Sequence, residues 1–189
     1  QRAESHELLR GVDDPRANPE TPWSEGTTNA GPANGWPAVV DLPAEAEVLY
    51  AELVWSGSYN DTRANVTGEI DEPVSLFFGG ANEGTVAPDP ATSDEATLTI
   101  NGQAFRYYLR SSDVTSYVRQ HRGGTYLAGG VPGLETTQSR DVNGLGWTLI
   151  VAYRDQTKPI RNLTVFVGGT FVEENARQDY TFSGFCVPP

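Results

Sequence analysis

The sequence predicts an all-β fold: an antiparallel two-sheet sandwich, jelly-roll-like, with an irregular N-terminal tail. Three observations lead there. From Ala38 onward, short apolar runs alternate with turn clusters. Twenty Gly and thirteen Pro supply the turns that an all-β chain needs. No segment carries the apolar period of a long helix.

The elements follow in order. Glu47–Trp55 reads as a strand with Leu49, Ala51, Leu53 and Trp55 on one face. Val48, Tyr50 and Val54 make its other face apolar as well, so it belongs in the middle of a sheet. Val74–Phe78 is a second strand. Ala96–Ile100 and Gln103–Arg110 flank Asn101-Gly102, the signature of a two-residue hairpin turn with positive φ at both positions. In the second arm Phe105, Tyr107 and Leu109 alternate with Arg106 and Arg110, which assigns the first three to the core. Asp113 suits a helix N-cap, and Val114, Tyr117 and Val118 then share one face of a short helical turn. Thr125–Val131 closes on Gly129-Gly130 as another strand.

The run Gly146–Asp155 places Trp147, Leu149, Val151 and Tyr153 on one face and Ile150 and Ala152 on the other. These aromatics therefore read as core. A turn over Gln156–Pro159 leads to a strand over Ile160–Val167 with Leu163, Val165 and Val167 aligned. Gly169–Glu173 and Tyr180–Val187 complete about eight or nine strands, the size of a jelly roll. An immunoglobulin-type sandwich is the alternative, but the Cys…Trp…Cys hallmark is absent from a chain with one cysteine, Cys186. Cys186 reads as a buried thiol in the last strand.

At 189 residues the chain suits one core. Residues 1–37 form a polar, irregular arm, and residues 38–189 form the sandwich. Leu8, Leu9, Val12, Trp23 and Trp36 are nearly the only large apolar residues of the arm. Such a stretch cannot build its own core, so it is expected to lie along its own domain or along a neighbouring subunit. The second arrangement would add a strand to an open sheet edge and make a homo-oligomer or polymer. Those five residues are the candidate assembly contacts.

The net charge of −12 argues against nucleic-acid binding, which needs clustered Lys and Arg. Twelve of the thirteen basic residues are Arg, with Lys158 the exception. No apolar run approaches the ~18 residues of a membrane span. A start at Gln1 without Met is what removal of a signal peptide leaves, so an extracellular location is expected.

A family resemblance rests on six segments in order. Leu49-Tyr50-Ala51-Glu52-Leu53-Val54-Trp55-Ser56-Gly57-Ser58 opens it, and Asp113-Val114-Thr115-Ser116-Tyr117-Val118 and Gly123-Gly124-Thr125-Tyr126 follow. Gly146–Asp155, Asn162–Gly169 and Ser183-Gly184-Phe185 close it. Together they resemble a β-sandwich domain found near the start of large secreted or surface-anchored bacterial proteins. Many of these are actinobacterial or myxobacterial and often continue into tandem Ig-like repeats. The resemblance spans about residues 40–187 and implies an extracellular, non-catalytic module.

Chemistry-bearing constellations are few. His6 and His121 are the only histidines; His121 sits in the basic stretch Arg119-Gln120-His121-Arg122, read as a solvated loop. No Gly-x-Ser-x-Gly elbow accompanies it, so no nucleophile–base pair emerges and no enzyme is expected. Two His and one Cys do not make a zinc site. Glu52 with Glu173 is the nearest approach to a paired-acid site. No cofactor is expected, calcium being the one exception that the acidic loops allow. Its candidate ligands are Glu83, Asp89, Asp94 and Glu95 in the stretch Ala81–Glu95; Asp61, Glu69, Asp71 and Glu72 form a second cluster. Tyr59, Tyr107, Tyr108 and Tyr126 are the aromatics available for a sugar platform. The expected role is that of a structural subunit in a surface or filamentous assembly. The alternative is a carbohydrate-binding or adhesive module, with a glycan or cell-surface partner.

Overall fold

The computed structural model describes residues 9–12, 37–60, 66–80, 82–133, 145–159, 161, 163–170, 177, 179–181 and 183. Among them lie nine strands and one helix. The strands are β1 (Leu9–Val12), β2 (Ala38–Val40), β3 (Glu47–Asn60), β4 (Val74–Phe78), β5 (Asn82–Val86), β6 (Asp94–Ile100), β7 (Gln103–Asp113), β8 (Gly124–Gly129) and β9 (Leu145–Arg154). Helix α1 (Thr115–His121) stands between β7 and β8. One sheet runs β1-β9-β3-β7-β6 and the other β2-β8-β4-β5, every pair antiparallel. The orders β1-β9-β3-β7 and β2-β8-β4-β5 are those of a jelly roll. β6 is an added edge strand.

A single apolar cluster joins the sheets. Ala51, Leu53, Trp55 and Tyr59 of β3 meet Trp147 and Leu149 of β9, Leu76 of β4, and Tyr126 and Ala128 of β8. Leu53, Trp55, Leu76, Tyr126 and Leu149 are fully buried, each aliphatic one contributing about 1.5–3 kcal/mol by transfer from water. β3 is the middle strand of its sheet, as its two apolar faces predict. Register places Trp55 opposite Trp147 and Leu53 opposite Leu149.

The hairpin and the helical turn match their sequence signals. Asn101 and Gly102 have φ of 52° and 78°, the paired positive values that a tight hairpin turn requires. Asp113 Oδ1 accepts the Thr115 N–H at 2.7 Å, and Val114 and Val118 are buried beneath α1. The helix begins one residue later than an Asp113 cap would place it, with Val114 at the cap position.

Four expectations change. Leu49 does not join the core face. The β3–β9 register shifts between Val48 and Tyr50, and the extra residue inverts the alternation before Tyr50. Val48 therefore points inward at 2 % exposure while Leu49 is 46 % exposed.

The two faces of β7 are exchanged. Arg110 lies opposite Trp55 and Tyr108 opposite Gly57, so Tyr108 and Arg110 face the other sheet. Tyr108 belongs to the central cluster, whereas the buried Phe105 does not. Phe105, Tyr107 and Leu109 occupy the outer face, where Leu109 packs against Gly169.

Residues 163–167 form no ladder, and Leu163 and Phe166 are about half exposed. β1 occupies the β9 edge at Gly146–Leu149, where the far half of a hairpin returning along β9 would pair, and leaves Ile150–Arg154 open. Residues 169, 170, 180, 181 and 183 likewise carry no strand; the rest of Gly169–Glu173 and Tyr180–Val187, with Cys186, lies outside the described residues.

His121, read as a solvated loop, instead ends α1. It packs between Phe78 and Tyr117, with ring centroids 4.8 and 4.5 Å away.

Candidate functional site

The edge of β9 is the first candidate. Its β3 side is paired from Glu47↔Arg154 to Gly57↔Leu145. Its other side carries β1, with Leu9↔Leu149, Arg10↔Thr148, Gly11↔Trp147 and Val12↔Gly146. Part of the polar arm thus completes a sheet, and does so on its own chain. Leu9 and Val12 are the ends of this strand; Leu8, Trp23 and Trp36 lie outside the described residues. Among the described residues, Ile150–Arg154 have no strand on that side of β9. An edge of this kind offers backbone N–H and C=O groups to any extended segment.

The acidic candidates are drawn to Arg110. Its guanidinium is almost completely buried, yet every side of it is bonded. Nε donates to Asp71 Oδ1 at 2.8 Å and Nη2 to Glu95 Oε1 at 2.6 Å. Nη1 donates to the Asp94 and Leu109 carbonyls at 3.0 Å each. Its carbon stands 5.6 Å from the Tyr108 ring centroid. Asp71 and Glu95 are largely exposed, so the pair is a buried cation with hydrated anions, and screening keeps each ion pair modest.

Asp89 Oδ1 accepts the Ala91 N–H at 2.8 Å, and Asp94 Oδ1 accepts the Glu95 N–H. Glu83 stands on β5 opposite Phe77, in the sheet that does not hold Asp94 and Glu95. Among the described residues no three carboxylates or imidazoles converge on one point. Of the second cluster, Asp61 lies outside the described residues.

Glu52 is buried and accepts the Tyr50 hydroxyl. Burial first, and the Glu52 hydrogen bond second, raise the Tyr50 phenol above its ordinary value. Glu173, its proposed partner, lies outside the described residues. The aromatic platform does not form as expected: Tyr59, Tyr108 and Tyr126 are buried in the core. Tyr108 donates to the Pro132 carbonyl, and Tyr126 to the Arg122 carbonyl at 2.5 Å.

A corner built around α1 went unread in the sequence. Tyr117 donates to the Leu76 carbonyl at 2.9 Å, and its ring lies over Gly84, where a Cβ would come within 2.7 Å. Gly124, at φ 149°, gives the Phe78 ring the same clearance. Arg119 Nε donates to the Val48 carbonyl at 2.8 Å and Nη2 to that of Leu49 at 2.9 Å. Arg122 Nη2 donates to the carbonyls of Ala44 and Ala46 at 2.8 and 2.6 Å. These arginines satisfy the carbonyls that the bulge and the Pro43–Ala46 turn release from the ladder. The only signal in the sequence was a pair of basic residues three apart where the helix ends. The chain matches no family model, no curated protein and no solved structure, so the geometry of its own residues carries the functional reading.

Proposed function

We propose that the chain is a non-enzymatic extracellular structural module, a subunit of a cell-surface or filamentous assembly in which residues 1–37 of one copy pack on a neighbour. The observation that supports this reading is β1. It is a four-residue strand on the rim of a sheet, connected along the chain to β2 by residues 13–37. A neighbour's arm would make the same backbone pairs with β9 that the chain's own arm makes. Exchange between copies then costs little enthalpy and is governed by concentration. The high negative charge of each copy opposes nonspecific clustering, which favours association through a defined strand slot.

Deleting residues 1–37 tests it: light scattering should report a monomer where the full chain is oligomeric. An oligomer unchanged by the deletion overturns the proposal. A carbohydrate-binding reading, with or without calcium, draws less support, because three of the four aromatics it would use, Tyr59, Tyr108 and Tyr126, are occupied in the core.

A further inference from the structure

We propose that the cleft between α1 and the start of β3 binds an oxyanion ligand, a carboxylate or a phosphate, through Arg119 and Arg122. The cleft has a volume of about 470 Å³ and is lined by Ala44, Glu45, Ala46, Glu47, Val48 and the two arginines. Each guanidinium is held on one side by two backbone carbonyls. Carbonyls fix the orientation of a cation without neutralising it. Arg119 keeps Nη1, and Arg122 keeps Nε and Nη1, without a hydrogen bond among the described residues. Nor does either arginine form an ion pair among them, although the chain holds 25 acids against 13 bases.

Glu47, the acid one would expect to quench the site, is engaged by Arg154 on the neighbouring strand. Arg119, bonded along its Nε–Nη2 edge, keeps its Nη1–Nη2 edge for two-pronged recognition of carboxylate or phosphate oxygens, and Arg122, whose Nη2 already serves both carbonyls, can add a single bond from Nη1 or Nε. Glu45 on the rim opposes such a ligand by like charge and keeps its affinity low.

A purely structural role would end at the carbonyl bonds, so the test must read binding. The full chain is titrated with citrate, with phosphate, and with chloride at matched ionic strength, following arginine side-chain and backbone resonances by NMR. Saturable shifts of Arg119, Arg122 and the Glu45–Val48 amides with citrate or phosphate support the site, and the stronger of the two identifies the ligand chemistry. Arg122→Lys should weaken binding by about tenfold while the chain stays folded, since one charge-assisted bond is lost. Glu45→Gln, an exposed change, should tighten it severalfold, and it decides the matter if Arg122→Lys fails to fold. No saturable shift, equal shifts with chloride, or a Glu45→Gln protein that binds no better would overturn the proposal.

Discussion

Strand β9 has two edges that are held in opposite ways. Toward β3 it is paired along its whole length, and Trp147 and Leu149 lock into the central cluster. Toward β1 it is paired at four positions, by a strand that belongs to a polar stretch. The first edge is welded by side-chain burial; the second is defined by backbone pairing at four positions, with β1 also close to β2. Hydrogen bonds to water replace the second kind readily, and nothing replaces the first. The same strand is therefore a core element on one side and an exchangeable contact on the other.

The largest effect should come from the welded side. Leu53→Ala, opposite Leu149 in a fully packed region, should cost about 2–5 kcal/mol in urea unfolding, from lost transfer energy and the cavity left behind. A loss below about 1 kcal/mol, the scale of a surface change, would break the comparison.

Alkali should attack the same core. Burial raises the Tyr108 and Tyr126 phenols above the ordinary value of 10.0, the Arg110 charge partly offsetting this at Tyr108. Their neutral forms are favoured in the folded chain, so their contribution is complete below that value. It is lost as pH rises above it toward the folded values. Phenolate absorbance and unfolding should then advance together; tyrosines that all ionise near 10 in a folded chain would contradict this.

Hydrogen exchange separates the two edges directly. Amides of β9 that point to β3 should exchange only through global unfolding. Those that point to β1 should exchange through local opening, with protection lower by a factor of about one hundred or more. Equal protection would mean that β1 is as firmly held as β3.

Gly102→Ala should cost about 1 kcal/mol, because alanine pays for φ at 78° while the two strands remain paired. The smallest effect belongs to the rim. Removing residues 1–12 should change the unfolding free energy of the monomer by less than about 1 kcal/mol, since four residues' hydrogen bonds are offset by their ordering entropy. A loss of cooperative folding would show that β1 is part of the core.

What was legible in the sequence tracks the same division. β3, β4, β9 and the β6–β7 hairpin were visible because apolar alternation and Asn101-Gly102 are local signals. β2 and β5 were not. Ala38–Val40 is too short to alternate, and Asn82–Val86 carries a glycine whose purpose is clearance for the distant Tyr117 ring. The side assignment of β7 failed because hydropathy assigns Arg110 outward, and only the placement of Asp71 and Glu95 lets it turn inward. In the sequence the cleft arginines read as loop charge, because their partners are backbone carbonyls, which no residue code announces. The strand expected over Ile160–Val167 had the right alternation, but β1 holds the β9 edge at Gly146–Leu149 that its far half would need.

The bulge at Val48–Tyr50 has a consequence for how this chain tolerates change in length. A strand assigns sides by parity, and parity before Tyr50 is reversed by one residue. Deleting Leu49 would restore an unbroken two-step rhythm with Val48 still facing inward. Hydropathy would accept the shorter chain without protest. Arg119 would then have lost one of its two carbonyl anchors, so the fold would survive an edit that silently unfastens its corner.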